Sequence, residues 1–259
     1  MMFAAPYGRQ RLARGRSSAL IAAILLTGPI AAADGPTAQR LLEDADRARG
    51  GLAAGITWNV TLTTTEDGTT SARTFLVKAR GNDALAEALS PPRYKGEIML
   101  FNDRTIWFHK PGLRKPVSIS ARQRLSGDAA NGDIASTNYA RDYEGTIVGE
   151  EDVDGEPTYR LELKARARNV TYDRIRYWIS KTRHLGVKAE FLTVGGDVFK
   201  TATFLYGNRL KADGREFDFV SRMTIRDATG AGTTTVLEFG APKSETHAAS
   251  LFNINNVVR

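Results

Sequence analysis

From Ile56 to the C-terminus the chain repeats one pattern: apolar and polar residues alternate over short runs that end at glycine- or aspartate-bearing turns. Successive strand side chains point to opposite faces, so a period of two predicts half-buried strands rather than helices. Ile56, Trp58, Val60 and Leu62 alternate with Thr57, Asn59, Thr61 and Thr63, and Asp67-Gly68 then turns the chain back through residues 73–79 as a hairpin. Residues 98–101 and 105–109 flank an Asn102-Asp103-Arg104 turn. After Asp154-Gly155, Tyr159, Leu161 and Leu163 alternate with Arg160, Glu162 and Lys164; Ile175, Tyr177 and Ile179 alternate with Arg174, Arg176 and Trp178. Residues 187–194 and 198–206 flank Gly195-Gly196-Asp197, and residues 219–225 and 233–239 flank Gly230-Ala231-Gly232. About a dozen strands with short connections predict an antiparallel, mainly β fold.

Two segments break the pattern. Residues 37–49 read as a helix, with Pro36 before it, Leu41, Leu42 and Ala45 as an apolar stripe, and Gly50-Gly51 as its stop. Residues 126–133 are turn-rich, and residues 137–143 predict a short helix or an ordered loop. No long linker or internal repeat divides the chain, so residues 34–259 are expected to form one domain. Strongly twisted sheets rarely exceed about ten strands without curling. The expected architecture is therefore a curved antiparallel sheet forming an incomplete barrel. An N-terminal helix and a short central helix would cover it and leave an apolar cavity beneath.

The first 33 residues read as a secretory signal peptide. Arg9, Arg11, Arg14 and Arg16 precede an apolar run over residues 19–30, and Ala31-Ala32-Ala33 offers a processing site near Ala33. The apolar run is shorter than the roughly 20 residues that span a bilayer. Cleavage would leave a soluble periplasmic chain of 226 residues and lower the formal net charge from +7 to +3. Both signs are interspersed over that chain, which argues against nucleic-acid binding. With no cysteine in the sequence, neither disulfides nor thiolate metal sites contribute.

Residues for catalysis are scarce. The three histidines, His109, His184 and His247, are far apart in sequence and lack metal-ligand spacing, so surface or interface positions are expected. The acidic run Glu150, Glu151, Asp152, Asp154 and Glu156 flanks a turn and lacks the order of a calcium loop. Asp133 and Asp142 could be imagined as a carboxylate pair, but capping within an ordered loop is the stronger reading. Neither a nucleophile elbow nor a phosphate-binding loop is present. No cofactor, metal or catalytic set is expected.

One stretch resembles a known family. Ser90-Pro91-Pro92-Arg93-Tyr94-Lys95-Gly96-Glu97, then Ile98-Met99-Leu100-Phe101 and Ile106-Trp107-Phe108-His109-Lys110-Pro111, is similar to a run in the LolA-like outer-membrane lipoprotein-sorting proteins. Later pieces follow in order: Gly132 to Ser136 with Tyr139 and Asp142, then Gly149 to Glu156, Tyr172 to Ile179, Phe199 to Ala202 and Ser221 to Ile225. The chain departs from the family's pattern at Ile134 and His109, where many relatives carry aromatics. The resemblance implies an incomplete β-barrel whose apolar cavity holds acyl chains. It implies a non-enzymatic, monomeric periplasmic carrier of an acylated lipoprotein or lipid, working between an inner-membrane transporter and an outer-membrane acceptor. The alternative is an accessory or sensor module that docks on an inner-membrane exporter or regulatory protein. The cavity-lining residues expected from the alternation are Trp58, Val60, Leu62, Phe75, Ile106, Phe108, Leu161, Tyr177 and Phe191. The 98–109 hairpin is apolar on both faces, as for a strand pair covered on one side and lining a hollow on the other. The basic strand positions Arg160, Lys164, Arg166, Arg168, Arg174 and Arg176 could meet anionic headgroups or an acidic partner, although an ordinary wet strand face is the stronger reading.

Overall fold

The computed structural model describes residues 35–257 apart from 54, 136, 137, 213, 231 and 241. The expected signal peptide lies outside the described residues. The first element is the helix α1 (Ala38–Arg47), opened by the Thr37 side chain, which accepts from the Arg40 amide. Its apolar stripe, Leu41, Leu42 and Ala45, is fully buried. The first meander is β1 (Ile56–Glu66), β2 (Thr69–Arg80), β3 (Asp83–Ser90), β4 (Ile98–Asn102), β5 (Thr105–His109) and β6 (Val117–Ile119). The short strands β7 (Arg124–Ser126) and β8 (Ala129–Ala130) follow, then α2 (Tyr139–Asp142). A second meander is β9 (Tyr143–Val153), β10 (Glu156–Ala165), β11 (Arg174–Ser180), β12 (Gly186–Leu192) and β13 (Val198–Leu205). Last come β14 (Asn208–Ala212), β15 (Arg215–Phe219), β16 (Arg222–Asp227), β17 (Thr234–Phe239) and β18 (Lys243–Ser244).

The two meanders are joined in the middle by a late hairpin. β17 pairs with β1 and β16 pairs with β13, so one 14-stranded antiparallel sheet runs from β6 at one edge to β9 at the other. The sheet curves without closing. α1, α2 and the β7–β8 turn lie over its concave side, where Leu42 meets β9 and Gly127 sits against Thr64 and Thr235.

The 98–109 hairpin is apolar on both faces because both are covered. Met99, Phe101 and Ile106 join the main core, while Leu100 packs outward against Phe252 and Val257, with Ile98 and Trp107 beside it.

Three details differ from the sequence reading. Residues 219–225 are not one strand. Phe219 ends β15, which pairs only with β14, and the chain then breaks at Val220-Ser221 before β16. At the break the Val220 amide donates to Ala48 O and the Ser221 amide to Leu205 O. His247 is not a surface residue: it is 6% exposed, with its Nε2 3.0 Å from Thr57 Oγ1 and 3.3 Å from Ile56 O. Residues 83–90, whose alanines and glutamate gave no strand signal, form β3.

Candidate functional site

The concave side is mostly filled. Trp58, Val60, Leu62, Leu161, Tyr177 and Phe191 are all at most 2% exposed and pack into one apolar core. Trp58 meets Phe219 edge-on, and Tyr172 stacks on Phe191 with ring centroids 3.8 Å apart. Phe75, itself 1% exposed and part of the same core, and the half-buried Phe108 also reach the wall of a half-open pocket of about 210 Å³ at the β6 end of the sheet. Ile106 borders a separate hollow of about 30 Å³ beneath α2, shared with Tyr139 and Tyr143. Eight of the nine expected residues thus lie in the packed core, and two of the nine, Phe75 and Phe108, reach the wall of the 210 Å³ pocket.

The pocket is built by the first meander and the β7–β8 segment. Phe75, Met99 and Phe108 come from β2, β4 and β5, Ile119 from β6, and Leu125 from β7. Met99 pairs across the ladder with Phe108. Between these large side chains runs β3, where Ala88 faces Phe75 and Ala86 faces Met99. Ala86 and Ala88 are both fully buried between these larger side chains.

The pocket's polar groups come from both walls. Arg73 holds Glu97 at 2.9 Å and lies over the Tyr94 ring at 3.9 Å. Burial pushes the Arg73 guanidinium down from its ordinary value, opposed by Glu97, and it stays charged near neutrality. Arg124, Gln123 and Asn131 complete the wall. Half of the ten lining residues are polar or charged, a larger share than a typical small-molecule site carries. The pocket's volume is below the roughly 300–1,000 Å³ typical of such sites. A space of about 210 Å³ has no room for a whole lipid.

Polar ties hold the cover over the concave side. The Ala140 amide of α2 donates to Asp46 Oδ2 of α1 at 2.8 Å. Arg104, in the β4–β5 turn, holds Asp142 at 2.7 Å, and Arg141 shares the same carboxylate. Tyr172 donates its hydroxyl to Asp133, which also accepts from the Ala130 amide. Asp133 and Asp142 therefore serve separate partners as loop anchors. Burial raises Asp46 to about 7, only partly offset by the Ala140 amide and by Arg49. Arg49 is itself buried, its guanidinium over the rings of Tyr139 and Phe204.

On the basic strand face Arg160, Arg174 and Arg176 are ion-paired, whereas Lys164, Arg166 and Arg168 are exposed without an ion pair among the described residues. Arg160 meets Glu151, Arg176 bridges Glu162 and Glu190, and Lys188 meets Glu190 while lying over the Trp178 ring. Among the described residues no group of histidines and carboxylates is placed to hold a metal ion.

A family model described as "Uncharacterized protein" matches residues 80–259. A LolA superfamily protein from Nitrosomonas europaea is 30% identical, with 85% of this chain covering 99% of that one at a TM-score of 0.76. The chain belongs to the LolA superfamily. Two further structures share the superfamily fold. One is a domain from Vibrio parahaemolyticus named for outer membrane lipoprotein sorting, at 20% identity and a TM-score of 0.71, with 84% of this chain covering 98% of that one. The other is a DUF1329 family protein from Desulfovibrio piger, at 20% identity and a TM-score of 0.70, with 85% covering 97%. No curated protein matches the chain.

Residues 90–111, the stretch that resembles LolA-like proteins, include Glu97, Met99 and Phe108 of the pocket wall. Sequence reasoning missed Met99, Ile119 and Leu125. Met99 lay in a run apolar on both faces, and Ile119 and Leu125 belong to three-residue strands too short to display a period.

Proposed function

We propose that this chain is a non-enzymatic periplasmic carrier that binds the acyl chain of a lipoprotein or lipid in the β6-end pocket and passes it towards the outer membrane. Residues 1–33 would direct export and be removed. The observation that carries the reading is the half-open pocket walled by Phe75, Met99, Phe108, Ile119 and Leu125. Shielding an acyl chain from water is favourable by about 0.8 kcal/mol per buried CH₂. Such binding needs no catalytic group, in keeping with the reading as a carrier rather than an enzyme. A pocket of about 210 Å³ would enlarge if the cover of α2 and the β7–β8 turn moved outward. That cover is held to the sheet and to α1 by polar contacts and also by Ala129, Ile134 and Tyr139, which are buried in the main core, so moving it outward must break apolar packing as well. Membership of the LolA superfamily, and the lipoprotein-sorting name of the Vibrio structure, agree with this reading.

Titration with a fluorescent fatty-acyl probe tests it. Leu125→Trp, which fills the half-buried end of the pocket, is expected to weaken probe binding at least tenfold. Val148→Trp, on the exposed face of β9, is expected to leave binding unchanged. If the parent chain does not bind the probe, or both variants bind it equally well, the proposal fails.

A further inference from the structure

The rim beside the pocket carries charges that acyl binding does not use. Two connections meet there, residues 91–97 between β3 and β4 and residues 110–116 between β5 and β6. Antiparallel register sets them side by side, because Ile98 pairs with His109. They also touch: a Cβ added at Gly96 would lie 3.3 Å from the Pro111 ring. Together they present Arg93, Lys95, Lys110, Arg114 and Lys115, all exposed. Among the described residues none of these five cations has an ion-pair partner; Arg93 stacks on Tyr94. The one acid in the two connections, Glu97, is occupied by Arg73 at 2.9 Å. Glu87, opposite Ile98 in the register, is half-buried.

Exposed apolar residues flank the same rim. Leu89, just before the first connection, is 39% exposed, and Val117, just after the second, is 47% exposed. Unpaired cations mixed with exposed aliphatic side chains suit a surface that is anionic outside and apolar just beneath. A bilayer bearing anionic phospholipids has both properties. The rim also adjoins the pocket, since Glu97 belongs to one connection and Phe108 pairs with Val117.

We infer that the rim formed by residues 91–97 and 110–117 docks the protein on an anionic phospholipid membrane surface, setting the pocket mouth beside the bilayer. Each cation brought to such a surface raises the affinity about fivefold. The inference rests on charge and exposure alone and holds whether or not the pocket takes an acyl chain.

Co-sedimentation of the chain with vesicles tests it. Binding is expected to vesicles of phosphatidylglycerol and phosphatidylethanolamine, to fall at high salt, and to be absent with phosphatidylcholine alone. The double variant Arg114→Glu/Lys115→Glu is expected to lose at least thirtyfold in affinity. Arg209→Glu/Lys211→Glu makes the same charge change on the exposed β14–β15 hairpin and is expected to bind like the parent. Failure of the parent to bind anionic vesicles, equal binding to phosphatidylcholine, or equal losses in the two double variants would overturn it. In the first case, an acidic protein segment becomes the partner to seek.

Discussion

At the scale of single residues, the concave side holds two kinds of inward position that alternation cannot distinguish. Trp58, Leu62 and Phe191 face inward and meet other large side chains, whereas Phe75, buried opposite Ala88, and the half-buried Phe108 also reach open space. A period of two gives the face, and the volume of the side chains across the hollow gives the rest. That volume depends on the folded arrangement of strands distant in sequence. Asp46 is another residue whose character arises from folding, being an unremarkable helix acid in the sequence. In the unfolded chain its carboxyl titrates near 3.8, and in the fold near 7, chiefly through burial. Its contribution is fully present below the unfolded value. Between about pH 4 and 7 the folded state holds a proton that the unfolded state has lost. Stability therefore falls as pH rises through that window, by up to about 1.4 kcal/mol per unit, and levels off above it. Asp46→Asn keeps an oxygen for the Ala140 amide and removes the charge. Urea denaturation at pH 5 and pH 8 should show a smaller loss in the variant than in the parent chain; equal losses would contradict this assignment.

At the scale of elements, the β1–β2 and β4–β5 hairpins and strands β10 to β13 were legible from their apolar runs and the turn residues beside them, whereas β9 was not. β3 was not legible. Its Ala-Leu-Ala-Glu-Ala-Leu core favours helix by propensity, and it is a strand because ladders on both sides claim its backbone. The β15–β16 break was also hidden. Phe217, Phe219, Met223 and Ile225 all fall on odd positions, so the alternation runs through the interruption unchanged. The central helix was readable as a short helix or loop, but its anchors were not, since Arg104 and Asp142 are 38 residues apart in sequence. Those anchors make a prediction for the cover. Arg104→Ala removes a half-exposed ion pair with a net contribution of about 1 kcal/mol. Amide exchange over residues 139–143 should quicken about fivefold, while Arg160→Ala on the convex face should leave it unaltered. Unchanged exchange in Arg104→Ala would mean that the cover is held by packing instead.

For the whole molecule, topology explains where the pocket can be. The late hairpin β16–β17 joins the two meanders at the middle of the sheet, where Phe219, Met223 and Leu237 fill the interior. Space is left towards the β6 edge, where strands shorten to three residues and the β7–β8 segment supplies the opposite wall. The carrier reading depends on a chain entering there and not through the packed middle. Photo-crosslinking with a diazirine-bearing fatty acid, followed by peptide mass spectrometry, reports this most directly. Labels are expected on residues 97–108 and 119–125 and to be competed by unlabelled fatty acid. Labels concentrated on β10–β12, or no competable label at all, would contradict it.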